Sequence, residues 1–224
     1  MSNYTRIGSL YPDRPVAGID SKEGSHAGQK KGYYAVKRAV DIILSAALLV
    51  LVLSWLAPLI ALTIRLDAGG PIFFRQKRVG KNGRSFTCYK FRTMVVNEEA
   101  DIQQATKNDP RITRSGRWLR RSNIDELPQL LNVLLGHMSM VGPRPHMASD
   151  CERFSALVLD YNYRHQVKPG ITGLAQVKGY HGPSPDYESI FRRYQLDAFY
   201  VRNAGLWLDI RIMAGTVVRQ IIRP

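Results

Sequence analysis

Cysteine is scarce in this chain of 224 residues, and its two copies, Cys88 and Cys151, lie far apart. Two distant cysteines do not build a disulfide framework, so the sequence predicts reduced thiols in a cytoplasmic domain. No cysteine pair has zinc-site spacing, and the five histidines are too scattered to suggest a metal site. Acidic residues are also few, with 18 Asp and Glu against 32 Lys and Arg. The net charge of +14 implies an anionic partner: nucleic acid, anionic lipid or a phosphorylated substrate.

Charge is absent from one long stretch, since no residue from Ile42 to Ile64 carries any. As a helix of ~1.5 Å per residue, this stretch would extend about 34 Å, enough to cross a hydrocarbon core of roughly 30 Å. Basic residues flank it on both sides: Lys30, Lys31, Lys37 and Arg38 before it, and Arg65, Arg75, Lys77, Arg78, Lys81 and Arg84 after it. Because Lys and Arg in short loops prefer the cytoplasmic side, both ends are expected there. Pro58 is the expected helix break of a re-entrant hairpin over residues 33–67.

Other structures compete with this hairpin. A single membrane span kinked at Pro58 also fits, because the charge rule is a bias and not a law. A buried core helix of this length would normally have a polar face. A cleaved signal peptide would start nearer the N-terminus and end at a small-residue cleavage site. We therefore expect the re-entrant hairpin and retain the single span as its alternative.

The rest of the chain divides into a tail and one domain. Residues 1–32 are polar and rich in Gly, Ser and Pro, which predicts a disordered tail. Residues 68–224 form the predicted cytoplasmic domain at the membrane interface, in which apolar runs at 72–78 and 85–91 flank Asn82-Gly83, a pattern typical of a β-hairpin. Helical patterns follow at 98–107, 127–135, 149–163, 187–201 and 206–222. The last is amphipathic, as expected of a helix on the membrane surface or against a core. The predicted fold class is mainly α with a small β-hairpin (α+β), in a monotopic membrane protein.

Two adjacent carboxylates, Asp125 and Glu126, lie among many basic residues. The arginines nearby are Arg111, Arg114, Arg117, Arg120 and Arg121 before the pair and Arg144, between two prolines, after it. Taken singly, basic runs are solvated surfaces, and acids ahead of Leu-Pro-Gln are helix caps. Taken together, they predict an acid kept ionised by opposite charge and by backbone N–H groups. Such an acid could act as a nucleophile towards phosphorus, and its neighbour could bind a divalent ion. The arginines could bind a diphosphate.

Six motifs also follow one another in an order that resembles a known family. They are Lys37-Arg38 with Asp41, Phe91-Arg92-Thr93-Met94, Asp125-Glu126-Leu127-Pro128-Gln129-Leu130, Gly142-Pro143-Arg144-Pro145, Lys168-Pro169-Gly170-Ile171-Thr172-Gly173 and Tyr200-Val201-Arg202-Asn203. From about Tyr34 onwards the chain resembles the bacterial polyprenyl-phosphate sugar-1-phosphate transferases, which are monotopic phosphoglycosyl transferases. Small members of that family often have Ser before the helix-breaking proline, whereas this chain has Ala57-Pro58. Ser54 or water is therefore expected to satisfy the backbone group freed by the break.

The resemblance implies an enzyme whose catalytic domain is residues 68–224. It would transfer a sugar-1-phosphate from a UDP-sugar to undecaprenyl phosphate, with Asp125 as nucleophile and UMP as leaving group. By the same resemblance, Glu126 would help bind Mg²⁺, and the phosphate contacts would be Lys90, Arg92, Arg120 and Arg144. The expected location is the bacterial inner membrane, with the catalytic domain on the cytoplasmic face and exopolysaccharide or another surface glycan as the final product. Downstream glycosyltransferases are expected partners, a homodimer stays open, and nucleic acid is not expected.

Two other functions stay open from the residues alone. The first is a basic peripheral membrane or anionic-ligand binding protein without catalysis, in which Asp125 and Glu126 only cap a helix. The second is a metal-dependent phosphatase that acts on a lipid diphosphate and releases inorganic phosphate. Magnesium dependence and the release of UMP from a UDP-sugar would separate these functions from transfer.

Overall fold

The computed structural model describes residues 23–96, 109–180, 182 and 186–222. The predicted helix at 98–107 and residues 1–22 of the predicted tail lie outside these ranges. By internal contacts the chain divides into Met1–Ala35 and Val36–Pro224, and all contacts given below lie within the second unit. The helices are α1 (Glu23–Leu48), α2 (Ser54–Ala68), α3 (Arg114–Arg121), α4 (Gln129–Leu134), α5 (Ala148–Ser155), α6 (Leu174–Val177), α7 (Tyr187–Asn203) and α8 (Leu206–Ile222). The strands are β1 (Phe73–Val79), β2 (Ser85–Phe91), β3 (Ser139–Val141) and β4 (Gly170–Thr172).

The apolar stretch lies in one helical run made of α1, a π-helical segment at Leu49–Leu53, and α2. Its part from Lys31 to Ala68 is long and apolar enough to cross a membrane, by length and composition. Large apolar side chains are exposed along it, including Ile43, Leu51 and Leu66. The run begins at Glu23, inside the segment predicted as a tail. Residues 23–32 are therefore helical in this structure.

The irregularity of this helix precedes the predicted break. Pro58 lies inside α2, while the wider turns of the π-helix occupy Leu49–Leu53. In the π segment the Ser54 N–H donates to the Leu49 carbonyl oxygen, one residue further back than in an α-helix. In an α-helix the Ser54 N–H would donate to the Val50 carbonyl oxygen. Here that oxygen accepts from the Ser54 hydroxyl at 2.6 Å instead. This bond satisfies a carbonyl group upstream of the proline; that Ser54 or water satisfies the group freed by Pro58 stays a prediction.

Three charged residues attach α1 to the rest of its unit. Lys37 Nζ lies 2.7 Å from Asp209 Oδ2 on α8. The guanidinium of Arg38 donates to the carbonyl oxygens of Val133 and Leu134, at the C-terminal end of α4, where a cation is favourable. Asp41 accepts from the Ser139 hydroxyl at 3.1 Å and the Met140 N–H at 2.9 Å. The contacts of this motif therefore reach three separate elements of the domain.

The predicted β-hairpin is confirmed. Strands β1 and β2 pair antiparallel from Phe73 opposite Phe91 to Val79 opposite Ser85. Asn82 and Gly83 have φ of 55° and 74°, the left-handed region that a tight turn requires. Helix α2 packs on the end of this hairpin, because Ile60 and Ile64 are buried in one cluster with Phe91 and Leu119.

A second, parallel strand pair was missed from the sequence. Strand β3 pairs with β4, with Ser139 opposite Gly170 and Val141 opposite Thr172. Each strand has only three residues, too few for an alternating pattern to be read. The backbones approach so closely that a Cβ on Gly170 would lie 2.1 Å from the Gly142 nitrogen. Glycine at both positions thus allows two of the motifs to meet.

Helix α8 has the predicted bounds and two different faces. Asp209 and Ile212 are buried against the rest of the domain, whereas Trp207, Ile210 and Ile221 are exposed. The buried face agrees with the core alternative, and contact of the exposed face with a membrane surface stays a prediction. Cys88 and Cys151 are buried and free, as predicted.

Candidate active site

The acidic pair lies on a single 3₁₀ turn, Ile124–Glu126, between α3 and α4. The turn follows Asn123, whose φ of 56° lies in the left-handed region that asparagine tolerates. Pro128 then precedes the first residue of α4. Neither the 3₁₀ turn nor α4 has a side-chain cap hydrogen bond. The capping explanation for Asp125 and Glu126 therefore has no hydrogen bond to support it.

Glu126 forms ion pairs with two cationic side chains from separate parts of the chain. Lys90 Nζ, on β2, lies 2.6 Å from Glu126 Oε1. Arg144, in the loop after β3, donates from Nη1 to Oε2 at 3.0 Å and from Nη2 to Oε1 at 2.6 Å. A bidentate pair of this kind fixes the orientation of the guanidinium and the carboxylate as well as their distance. The structure thus brings together three of the predicted site residues.

The environment pushes the pKa values of the two carboxyl groups apart. Burial, and then the charge of Glu126, raises the pKa of Asp125 to about 6 despite the opposing charges of Lys90, Arg120 and Arg144. For Glu126, burial would raise the pKa, but the charges and hydrogen bonds of Arg144 and Lys90 outweigh it and hold the pKa well below its usual range. Divergent pKa values within one pair are typical of carboxyl groups that have different chemical roles.

The expectation that opposite charge and backbone N–H groups keep Asp125 ionised needs correction. Its side chain is buried, and among the described residues none donates a hydrogen bond to its carboxylate. Burial disfavours the charged form, and Glu126 is a like charge beside it. The Asp125 carboxylate therefore retains more basicity than an exposed aspartate, a property that suits a nucleophile.

Asn132, which the sequence analysis missed, joins the elements that carry Lys90 and Glu126. It is completely buried on α4. Its amide donates to the Thr87 carbonyl oxygen at 2.7 Å and accepts from the Tyr89 N–H at 3.0 Å, both on β2. These bonds set β2 against α4, so Lys90 reaches Glu126.

The loop that carries Arg144 is held by backbone and side-chain contacts. The Gly142 N–H donates to the Thr172 carbonyl oxygen at 2.9 Å, and the Gly170 N–H donates to that of Pro143 at 3.0 Å. The buried guanidinium of Arg164 donates to the Arg144 carbonyl oxygen at 2.6 Å.

Arg164 is held in turn by Asp197 on α7, through a bond of 2.9 Å from its Nε to the carboxylate. Both side chains are almost inaccessible to solvent, and burial raises the pKa of Asp197. Nothing in the sequence pattern singled out either residue. Their importance follows only from the three-dimensional contact with Arg144.

Arg120 and Arg92, the two remaining predicted phosphate contacts, lie at different positions relative to the acidic pair. Arg120 on α3 donates to the Thr93 hydroxyl at 2.8 Å, and its charge acts on Asp125. Burial lowers the pKa of Arg120, while Asp125 is the strongest of the charges that oppose the shift. Arg92 instead donates to the Gly69 carbonyl oxygen after α2. It lies outside the contacts that surround Glu126, and its role in phosphate binding stays a prediction.

The carboxylates of Asp125 and Glu126 would need further oxygen ligands from a substrate to bind a magnesium ion. Among the described residues, no group of three or more His, Cys, Asp or Glu side chains could hold a metal ion. Both oxygens of Glu126 are hydrogen-bonded to cations. Mg²⁺ is commonly held by one or two carboxylates together with substrate phosphates, and Asp125 and Glu126 fit that requirement.

Comparison with known protein families identifies the class of protein. The model of the bacterial sugar transferase family matches residues 32–223, and the chain belongs to that family.

Curated relatives carry more particular names. The chain is 47% identical over 192 residues to a UDP-glucose:undecaprenyl-phosphate glucose-1-phosphate transferase of Xanthomonas campestris pv. campestris, covering 85% of this chain and 40% of the relative. It is 47% identical over 193 residues to the exopolysaccharide production protein PSS of Rhizobium leguminosarum bv. phaseoli, covering 84% of this chain and 96% of that protein. Against a UDP-N-acetylgalactosamine-undecaprenyl-phosphate N-acetylgalactosaminephosphotransferase of Aeromonas hydrophila the identity is 42%, over 83% of this chain and 43% of the relative. The chain thus spans about 40% of the length of several relatives it matches.

Proposed function

We propose that this protein transfers a sugar-1-phosphate from a UDP-sugar to undecaprenyl phosphate through a covalent intermediate on Asp125, as the first step of exopolysaccharide or other surface-glycan synthesis. The observation that carries the proposal is the divergence of two adjacent carboxyl groups, one bound by Lys90 and Arg144 and the other buried with a raised pKa. The names of the relatives support the choice of a UDP-sugar and a lipid phosphate.

In the first step, an oxygen of Asp125 attacks the phosphorus that carries the sugar. A new bond forms between this oxygen and phosphorus, the phosphoanhydride bond breaks, and UMP leaves with the electron pair. Lys90, Arg120 and Arg144 surround the carboxyl pair and would bind the phosphate oxygens. A diphosphate would compete with Glu126 for Lys90 and Arg144, which would free the Glu126 carboxylate.

In the second step, a phosphate oxygen of undecaprenyl phosphate attacks the same phosphorus. The bond from phosphorus to Asp125 breaks, which regenerates the carboxylate and yields the polyprenyl diphosphate sugar. A covalent intermediate divides the reaction into two displacements. The soluble nucleotide and the membrane lipid can therefore use one site in turn.

We expect chelation of divalent ions to abolish UMP release. Glu126, with Asp125, would hold Mg²⁺, which neutralises phosphate charge when bound. The measurement is UMP formation from a UDP-sugar in EDTA-treated membranes, before and after Mg²⁺ is added back. Full UMP release in EDTA would contradict a role for the metal, while loss that Mg²⁺ restores would support it.

The competing function is a basic binding protein without catalysis. It predicts salt-sensitive binding to anionic lipid and no UMP release from any UDP-sugar. A panel of UDP-sugars incubated with membranes and polyprenyl phosphate, with the mass of the lipid product as readout, separates the two functions and identifies the sugar. A lipid-diphosphate phosphatase would instead release inorganic phosphate. A homodimer and downstream glycosyltransferases stay predictions.

We also propose that the apolar helix is re-entrant, with the catalytic domain on the cytoplasmic face of the inner membrane. Residues 41 and 67 would be about 39 Å apart along a straight helix, more than a hydrocarbon core of roughly 30 Å. Yet Asp41 bonds to Ser139 and Met140, and Asp67 accepts from the Ser115 N–H at 2.7 Å. A straight span would separate these two contacts across the bilayer. Their presence on one domain supports a helix that enters and returns.

Cysteine labelling tests this topology. We expect Lys31→Cys and Arg75→Cys, exposed positions on either side of the uncharged stretch from Ile42 to Ile64, to resist an impermeant maleimide applied outside spheroplasts. Both should react after lysis, which is the internal control for reactivity. Cys88 and Cys151 are buried, so background labelling should be low. Reaction of one position before lysis would establish a true span and contradict the re-entrant helix.

A further inference from the structure

A partly open cavity of about 220 Å³ is lined by Glu126, one member of the acidic pair. Glu126 and Arg144 line it together with residues from α1, α4, β4, α6 and α8. We call it the Leu48 cavity, after the residue that α1 contributes. It therefore links the catalytic residues to the helix that is the candidate membrane segment.

The walls of the Leu48 cavity are largely apolar. Their apolar side chains include Leu48, Leu127, Met140, Ile171 and Val177. Walls of this kind favour a hydrocarbon over a ribose or a base, because apolar surface gains by removal from water.

Several polar groups along these walls already have partners. The hydroxyls of Thr172 and Thr216 lie 2.6 Å apart in a mutual hydrogen bond. Arg219 donates to the carbonyl oxygens of Gln176 and Val177. Gln176 donates to the Ile171 carbonyl oxygen, whereas its buried Oε1 has no hydrogen-bond partner among the described residues. An apolar ligand would therefore leave these hydrogen bonds undisturbed.

Size and position further narrow the choice of occupant. Pockets that enclose a drug-sized ligand typically have about 300–1,000 Å³, so a cavity of this volume holds only part of a long lipid. A polyprenyl phosphate requires a cationic end for its phosphate and an apolar path for the first isoprene units. Arg144 supplies the cation at one end, and Leu48 leads towards the exposed apolar surface of α1.

We infer that the Leu48 cavity binds the phosphate-proximal isoprene units of the lipid acceptor and directs the lipid phosphate towards Asp125. This inference rests on the proposed function. It assigns the second substrate to a site next to the acidic pair. The nucleotide portion of the UDP-sugar then lies outside this cavity.

Narrowing the cavity should affect the two half-reactions differently. In Leu48→Phe and Ile171→Phe, we expect the KM for polyprenyl phosphate to rise by about 10-fold or more, because the added bulk takes up space that the lipid needs. UMP release in a single turnover without lipid should stay within about twofold of the parent, since the nucleotide lies elsewhere. The matched control is Leu159→Phe, an exposed leucine outside the cavity, which should change neither value.

A label that does not depend on turnover completes the test. A farnesyl phosphate with a diazirine on its first isoprene unit should label peptides that contain residues 170–177 or 212–220. Labelling elsewhere, or an unchanged KM for the lipid in both variants, would overturn the inference. Loss of the UMP burst in both variants would also overturn it and assign the cavity to the nucleotide sugar. If the parent forms neither UMP nor lipid product while the label still reaches these peptides, the proposed function fails and the lipid site stands.

Discussion

Asp125→Asn is expected to abolish sugar-phosphate transfer while the protein stays in the membrane. The amide cannot form the proposed phosphosugar intermediate, and loss of a catalytic nucleophile can lower turnover by about 10⁴-fold or more. The substitution nearly preserves shape, and among the described residues no hydrogen bond to the Asp125 carboxylate would be lost. The measurements are UMP release, lipid product, and the mass of a trapped peptide that contains residues 125 and 126.

Asp186→Asn provides a matched control at a true helix cap. Asp186 is the N-cap of α7, where its carboxylate accepts from the Ser189 N–H at 2.8 Å. If Asp125 were only a cap, both variants would lose at most about 0.5–2 kcal/mol of stability and keep their activity. Full transfer by Asp125→Asn, or product formation without any adduct on the parent peptide, would remove the proposed nucleophile.

Asp197→Ala is expected to destabilise the protein by about 3–5 kcal/mol, because it leaves the buried Arg164 charge without its partner. This loss corresponds to a fall in melting temperature of roughly 10 °C for a protein of this size. Thermal unfolding in detergent measures it. The control is Glu188→Ala, which removes an exposed pair with Arg192 at 3.8 Å and should change stability by less than about 0.5 kcal/mol.

A double variant separates stability from the positioning of Arg144. Arg164→Met with Asp197→Leu replaces the buried pair by apolar groups, and such replacements are often neutral or stabilising. We expect stability to recover, while kcat stays low because the Arg144 carbonyl oxygen has lost its donor. Recovery of both stability and kcat would limit the Arg164–Asp197 pair to a structural role.

Features governed by local rules were predictable from the sequence. The two apolar runs around Asn82-Gly83 predicted the hairpin, because positive φ at a turn is a property of one or two residues. The bounds of α8 followed from the helical pattern between Leu206 and Ile222. The π segment was not predicted, although Pro58 indicated that the helix would be irregular nearby.

The site was predictable in its residues and not in its arrangement. Asp125, Glu126, Lys90 and Arg144 were named from motifs, and the structure brings Lys90 and Arg144 onto one carboxylate. The supporting residues were missed, because the contact of Asn132 with Thr87 joins elements far apart in sequence.

By itself, the sequence determined the basic charge, the uncharged helix, the hairpin and the identity of the acidic pair, because each depends on residues close together in the chain. Only the tertiary structure decided that Glu126 holds two cations while Asp125 is buried with a raised pKa. It also decided that Gly142 meets Gly170 and that Leu48 lines a cavity together with Glu126. These properties depend on burial and on charges brought together from distant segments, and no local pattern encodes such distances.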